Sequence, residues 1–361
     1  MKAGVAFIDC MHGSGREGGA DIATRDLAAR LREAGTDTRI FSFHDGIPLP
    51  LPGFLKTKPL IRELTSFPLG GRRGMREAEK LYDIIHLNSL ALAPLYRSRR
   101  PVVITLHNIQ CQKFARCMRA GRLPLFFNRF TRAPFALSEM RAAGNIDFFI
   151  CVHKGIADFL QEEMGVPDAR IAVIPNGVDT ELFKPSGERV RRVIFVGRAT
   201  TAKGFDVLME AAPMIAAPIL AVTNKIRPAV AARAARLGIE IRRDLSHQDL
   251  APEMAASSLL VLPSWDEEQP LVVIEAMSCG IPVVTTPMGA SDLIEEGRNG
   301  LVVAPHDARA LAHAVNRILG DTGAIESMGA ANRHLAELNH AWPIVVERVL
   351  EVYRAALGGG V

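Results

Sequence analysis

The sequence predicts an α/β fold built from two doubly wound parallel sheets. Three observations predict it. Short apolar runs rich in β-branched residues alternate with amphipathic stretches throughout, the pattern of parallel strands covered by helices on both faces. The alternation breaks near 176–190 and then restarts. The length of 361 residues fits two domains, at roughly 100–200 residues each.

In the first round, Val5–Cys10 reads as a strand and Ala20–Ala34 as a helix. Ile22, Leu27 and Leu31 lie near helical spacing there, and Gly35 is the stop. Arg39–Phe43, Ile84–Leu87, Val102–Leu106 and Phe148–Val152 read as further strands, several set apart by the Pro- and Gly-rich loops Gly46–Gly53 and Phe67–Gly74. Ile171–Ile174 follows and runs into a Pro-Asn-Gly turn. In the second round the expected strands are Val193–Val196, Ile219–Val222, Ile239–Ile241, Leu259–Leu262 and Val283–Thr285. The expected helices are Phe205–Ala212, Arg227–Leu237, ended by Gly238, and Leu271–Ser278, stopped by Gly280 and Pro282. Helices close the chain from about Ala308, the last over about Ala341–Leu357. The divisions expected are 1–183, 184–340 and a terminal helix, 341–361, able to cross back to the first domain. Ligands of such sheets sit beyond the C-terminal strand ends, so a central cleft faced by both domains is the default active site.

Composition narrows the classes. Apolar residues make up 48% and charged residues 23%, a globular balance that argues against disorder. No run approaches the ~20 apolar residues that span a bilayer, and MKAGVAFIDCMHG reads as a first strand, not a signal peptide. The five cysteines, Cys10, Cys111, Cys117, Cys151 and Cys279, are odd in number and lack zinc-like spacing, which fits reduced thiols in a cytoplasm. The histidines show no metal spacing either. Charge is uneven. Residues 1–185 carry 26 Lys/Arg against 19 Asp/Glu, and residues 186–361 carry 17 against 20. The basic first half either meets something acidic, such as a membrane surface, or carries a chance excess on a solvated face.

Two segments carry the chemistry. In Pro263–Val284, PSWDEEQPLVVIEAMSCGIPVV, Glu267 lies in the loop after a buried strand and Glu275 one turn into the next helix. The helix N-terminus at Pro270, Leu271 and Val272 offers backbone N–H groups and a partial positive charge to a phosphate or a polar sugar edge. A carboxylate at Glu275 can accept two hydrogen bonds from a ribose diol, and its apolar flanks LVVI and AM call for a partner. In Val193–Ala211, VIFVGRATTAKGFDVLMEA, Arg198 follows the strand and Lys203 precedes the helix. Two cations at such a junction suit a diphosphate and charge building on a departing one, although surface cations would look the same.

These segments resemble known motifs. EEQPLVVIEAM resembles the Glu-x7-Glu motif of the retaining family 4 glycosyltransferases, and VGRATTAKGFDVLMEA their Gly-Arg…Lys-Gly segment. IPNGVD (Ile174–Asp179) matches their interdomain motif, and GRNGLVV (Gly297–Val303) a later one. Order and spacing agree across about 170–305. The resemblance implies a GT-B fold of two Rossmann-like domains, an acceptor-binding N-terminal one and a C-terminal one for the nucleotide sugar. It implies that Glu275 binds the ribose hydroxyls, that Arg198 and Lys203 hold the diphosphate, and that Glu267 with Pro270, Leu271 and Val272 lies near the donor sugar. Gly18 and Gly19 would let the first loop approach the phosphate, and His107 in VITLHN would reach the sugar from across the cleft. It also implies retention of configuration, a UDP-sugar as the favoured donor, and no metal or other cofactor; the chain contains no Asp-x-Asp clamp. The acceptor is a hydroxyl or amine of an unspecified small molecule, saccharide or lipid-linked sugar. The sequence departs from the family at Gln269-Pro270, where Phe-Gly or Pro-Phe is usual. Thr223-Asn224-Lys225 replaces a glycine-rich loop, and Asp292 stands for a Glu.

Other readings accompany this one. Gly13–Gly18, GSGREG, fits the dinucleotide fingerprint of an NAD-dependent oxidoreductase, but Asp37 falls before the second strand and Asp45 late after it. A GT-B phosphorylase or nucleotide-sugar epimerase is a nearer alternative. Residues 111–141 hold seven Lys/Arg and one Glu, interleaved with phenylalanines. They read either as a peripheral membrane or acidic-acceptor patch or as core phenylalanines with solvated arginines. No nucleic-acid reader motif accompanies them. A cytoplasmic location follows, with contact to the inner membrane face as an option.

Overall fold

The computed structural model describes residues 3–9, 18–42, 76–88, 97–107, 109, 143–265, 267–290 and 292–358. The basic-aromatic stretch 111–141, residues 10–17 of the glycine-rich loop and the loops Gly46–Gly53 and Phe67–Gly74 lie outside them, as do Cys10, Cys111 and Cys117. The chain forms two compact units, residues 1–175 with 345–361, and residues 176–344.

In the first unit, β1 (Val5–Asp9), β2 (Thr38–Ser42), β3 (Ile84–Leu87), β4 (Val102–Leu106), β5 (Phe148–Cys151) and β6 (Ile171–Val173) form one parallel sheet in the order β2-β1-β3-β4-β5-β6. β3 and β4 are buried along their whole length, which is why they read as unbroken apolar runs and not as alternation. Helix α1 (Gly19–Glu33) buries Ala23, Leu27, Ala28 and Leu31 on one face. It carries Asp21 in its first turn and Arg30 and Arg32 in its last, the charge order its dipole favours. Gly35, at φ +83°, ends it while the Thr36 amide donates back to the Leu31 carbonyl at 2.9 Å. Helix α2 (Lys154–Glu162) seats Ile156, Ala157 and Leu160 against the sheet.

A buried polar knot sits inside this unit. His86, on β3, places Nδ1 2.5 Å from the Tyr353 hydroxyl and Nε2 2.8 Å from the Thr105 hydroxyl, and its ring stacks on Phe7 at 4.6 Å. Tyr353 comes from the closing helix of the chain, Trp342–Ala356. Burial, reinforced by the nearby His107 ring, lowers the His86 pKa to about 3, so the imidazole is neutral.

In the second unit, β7 (Val193–Val196), β8 (Ile219–Thr223), β9 (Ile239–Arg243), β10 (Leu259–Leu262), β11 (Val283–Thr285) and β12 (Gly300–Val302) form a parallel sheet in the order β12-β11-β10-β7-β8-β9. This is the dinucleotide-fold order, with its switch point between β7 and β10. The helices are α3 (Phe205–Ala211), α4 (Pro228–Arg236), α5 (His247–Ala255), α6 (Leu271–Ser278), α7 (Pro287–Ala290), α8 (Ala308–Leu319) and α9 (Thr322–Asn339). The direction in which successive strands are added reverses at the switch, so right-handed crossovers send α3 and α4 to one face and α5 and α6 to the other. Accordingly α8 packs on α3, and α9 and α5 pack on α6. Asn332 on α9 donates to the Ile281 and Asn299 carbonyls, each at 2.8 Å, and one Arg333 nitrogen reaches the Thr180, Phe183 and Ser278 carbonyls.

The division between the units falls at 175/176, ahead of the 183/184 expected from the sequence. Residues 176–179 belong to the second unit because they are bonded there. The Val178 amide donates to the His340 carbonyl at 2.8 Å, and His340 Nδ1 lies 3.0 Å from the Asn176 carbonyl. A Cβ on Gly177 would lie 2.4 Å from the Trp342 ring, which needs that space.

The neutral His86 makes stability depend on pH. Its folded pKa is depressed and the unfolded value is about 6.5, so the unfolded chain binds more protons below 6.5. Stability is full above about 6.5 and is lost as pH falls toward 3, at up to about 1.4 kcal/mol per pH unit for this residue. Thermal midpoints at pH 7.5 and 5.0 should fall further for the native chain than for His86→Leu, whose loss is already present at pH 7.5. Equal falls in both would remove His86 as the source.

Candidate functional site

At the switch point the loop after β7 meets the loop after β10, and the contact between them is tight. Gly204 has φ +68°, and a Cβ there would lie 2.1 Å from the Pro263 carbonyl oxygen. Only glycine allows both the left-handed conformation and the approach. Around this point the Ser264 hydroxyl lies 2.8 Å from the Ala202 carbonyl, the Trp265 amide donates to that carbonyl at 3.2 Å, and the Trp265 indole N–H donates to the Thr201 carbonyl at 2.7 Å. Thr286, after β11, donates its hydroxyl to the Ser264 carbonyl.

The frame positions the charges. Lys203 Nζ is ion-paired with Glu267 Oε1, and the Ser264 hydroxyl lies 3.0 Å from the same oxygen. The two side chains are 21% and 11% exposed, so solvent screens the pair only in part. An ammonium carries three donors, and Glu267 engages one face of it. The Glu267 amide donates to the Met288 carbonyl at 3.0 Å, fixing the carboxylate from the backbone side. Arg198 is exposed at the β7 end and makes no ion pair with a described residue.

Pro270 caps α6 without a side-chain acceptor, and the Leu271 and Val272 amides open the helix. Gln269 ahead of it is locked to Asn176. The Asn176 amide donates to Gln269 Oε1 at 2.6 Å, and its side-chain nitrogen to the Gln269 carbonyl at 3.3 Å. One helical turn on, Glu275 is 7% exposed, with His247 Nε2 3.7 Å from its Oε1. The His247 ring rests edge-on against Phe183 at 5.8 Å. Burial and the Glu275 charge push the Cys279 thiol up to about 12, so this cysteine is a packing residue. Burial alone does the same to Cys151 in the first unit.

A cavity of about 890 Å³ opens on the other side of the β7 loop. It lies between α3 and α4, and Lys225, Arg227, Arg233 and Arg243 line it.

In the first unit, Gly18 is the N-cap of α1, and its amide donates to Asp21 at 2.7 Å. A Cβ on Gly19 would meet nothing within 4 Å, so the backbone there is open to an approaching group. His107 directly follows β4, half-buried, and desolvation lowers its pKa to about 4. Among the described residues no group of three or more His, Cys, Asp or Glu gathers as a metal would require.

The structure therefore brings Lys203, Glu267, Pro270, Leu271, Val272 and Glu275 to one edge of the second sheet, with Arg198 on the same loop as Lys203. Gly18, Gly19 and His107 lie at the matching edge of the first. Residues 17–182 match the model of the family described as Glycosyltransferase Family 4, and residues 190–321 match that of Glycosyl transferases group 1. The chain is a family 4 glycosyltransferase. It is 27% identical over 398 residues to the D-inositol 3-phosphate glycosyltransferase 1 of Catenulispora acidiphila, spanning 96% of this glycosyltransferase and 93% of that protein. Among solved structures it resembles the sucrose-phosphate synthase of Thermosynechococcus elongatus at TM-score 0.80 and 23% identity, over 99% of this chain and 100% of that one. It also resembles Anabaena HepE, solved in complex with UDP and glucose, at TM-score 0.73 and 20% identity, over 98% and 100%. The fold is GT-B. No helix among the described residues of this glycosyltransferase is long and apolar enough to cross a membrane.

Sequence reasoning missed His247, which shows no metal spacing. Its approach to Glu275 depends on α5, which was not expected because Pro252 lies inside it and its first turn is polar. The cations around the cavity were missed as a group, since strand order alone gathers them.

Gly204→Ala should lower stability by more than about 2 kcal/mol, combining the left-handed backbone with a carbonyl clash, and weaken the Lys203 loop. Denaturant titration with side-by-side donor binding checks this. A stability within ~0.5 kcal/mol of native would mean that the loop contact is not a constraint.

Proposed function

We propose that this glycosyltransferase moves a sugar, with retention and without a metal, from a UDP-sugar to an acceptor hydroxyl or amine. The observation that carries this reading is the Lys203–Glu267 pair at the switch point, in the loops leading to a helix whose first turn ends at the nearly buried Glu275. Glu275 accepts the two ribose hydroxyls, and His247 beside it orients the carboxylate. The diphosphate lies over the α6 N-terminus, where the Leu271 and Val272 amides and the helix dipole meet its charge. Lys203 and Arg198 supply the remaining positive charge, the part that a divalent ion plays in other nucleotide-sugar enzymes. Glu267 holds the Lys203 ammonium in place and offers its second oxygen to a sugar hydroxyl.

In this reading no side chain serves as a covalent nucleophile. The bond from C1 to the diphosphate oxygen breaks, the acceptor oxygen bonds C1 from the same face, and the acceptor proton passes to the leaving phosphate oxygen. The neutral His107 can donate or accept a hydrogen bond without adding charge, which suits a sugar hydroxyl. Gly18 and Gly19 leave room for a phosphate at the first unit's edge. The UDP preference follows the HepE complex. The relative's name makes inositol 3-phosphate the first acceptor to test.

Glu275→Ala removes two charge-assisted hydrogen bonds, and UDP affinity should fall roughly a hundredfold. Lys203→Ala should lower kcat by about 10²–10³. Activity should persist in EDTA. Thermal shifts with UDP-, GDP-, ADP- and dTDP-sugars read the base, and the anomeric proton signal of the product reads the stereochemistry. Native donor turnover in both variants, or an inverted product, overturns the proposal.

A further inference from the structure

The cavity between α3 and α4 has a chemistry of its own. Lys225, Arg227, Arg233 and Arg243 line it, and Asp206 is the one carboxylate among the described residues of its lining. None of the four cations forms an ion pair with a described carboxylate, although Arg242, next in the chain to Arg243, pairs with both Glu240 and Glu253. Like charges gathered in one concavity repel one another. A ligand that neutralises them recovers that energy.

The walls add direction. Thr200 and Asn224 contribute uncharged polar groups. Asp206 Oδ1 is buried and has no hydrogen-bond partner, so it is an acceptor that a ligand N–H or O–H would satisfy. The volume of about 890 Å³ suits a small organic molecule and far exceeds a single anion. The cavity is built by the helices that follow β7 and β8, whereas Glu275 sits on α6, on the opposite face of the sheet. Arg198, Lys203, Glu267 and Glu275 are absent from the described residues that line it, so it is separate from the ribose contact, and Ala199, Thr200 and Thr201 of the β7 loop form one of its walls.

From this arrangement we infer a second ligand site for an organic phosphate. Its phosphate is held by Arg227, Arg233 and Arg243 with Lys225, and a hydroxyl or amine of the same molecule donates to Asp206. Occupancy braces the loop that carries Lys203, so the ligand acts on donor turnover without touching the donor. The inference does not depend on the donor's identity.

Calorimetric titration with glucose 6-phosphate and with inorganic pyrophosphate tests it. The background is Lys203→Ala, which removes one of the proposed diphosphate contacts. Glucose 6-phosphate should bind this variant, and adding Arg233→Gln and Arg243→Gln should weaken binding at least tenfold. Both arginines are exposed, so the thermal midpoint should hold. Asp206→Asn should strengthen pyrophosphate binding by lifting a repulsion and reduce the preference for the hydroxyl-bearing ligand. Undiminished binding after loss of the two arginines overturns the site. So does loss of glucose 6-phosphate binding in Lys203→Ala alone, which would assign the anion to the donor loop.

Discussion

A carbonyl oxygen at Pro263 occupies the space that a side chain at residue 204 would fill, and much of the second unit is arranged around that fact. The approach lets the loops after β7 and β10 share backbone hydrogen bonds through Ala202 and Thr201. Those bonds set Lys203 beside Glu267, and the backbone of α6 carries the geometry on to Glu275. Charge placement here is thus a result of backbone packing. The side chains contribute little freedom of their own, so the electrostatics are preorganised before any ligand arrives.

Much of this was legible in the sequence. Strands such as Ile84–Leu87, Leu259–Leu262 and Val283–Thr285 and helix Leu271–Ser278 were read to the residue, because buried parallel strands and a mostly apolar helix leave an unmixed signal. β12 was not read, since Gly300–Val302 is three residues long and begins with a glycine needed beside the Val283 carbonyl. The unit division lies ahead of the expected one because the bonds from Asn176 and Val178 reach residues near 340, which no local pattern reports.

The site followed the same rule. Residues on one loop or one helix, such as Arg198 and Lys203 or Glu267 and Glu275, could be paired by spacing. Pairings that cross strands could not. His247 against Glu275, Gln269 against Asn176, and arginines from α4 and β9 around one cavity all depend on strand order. The departure at Gln269 gains a physical sense from this. Its side chain closes onto the backbone of the Asn-Gly turn, a bond no phenylalanine could make.

The hydroxyl of Tyr353 that meets His86 is 267 residues further along the chain. During synthesis the first unit must therefore bury an imidazole whose Nδ1 partner does not yet exist, and at chain lengths short of residue 353 the empty position favours a solvated, unsettled sheet around β3. The second unit takes only residues 342–344 of the closing helix. The protein is then expected to mature in reverse of its reading order, with the later-made unit settling first and the earlier one completed when the last helix docks.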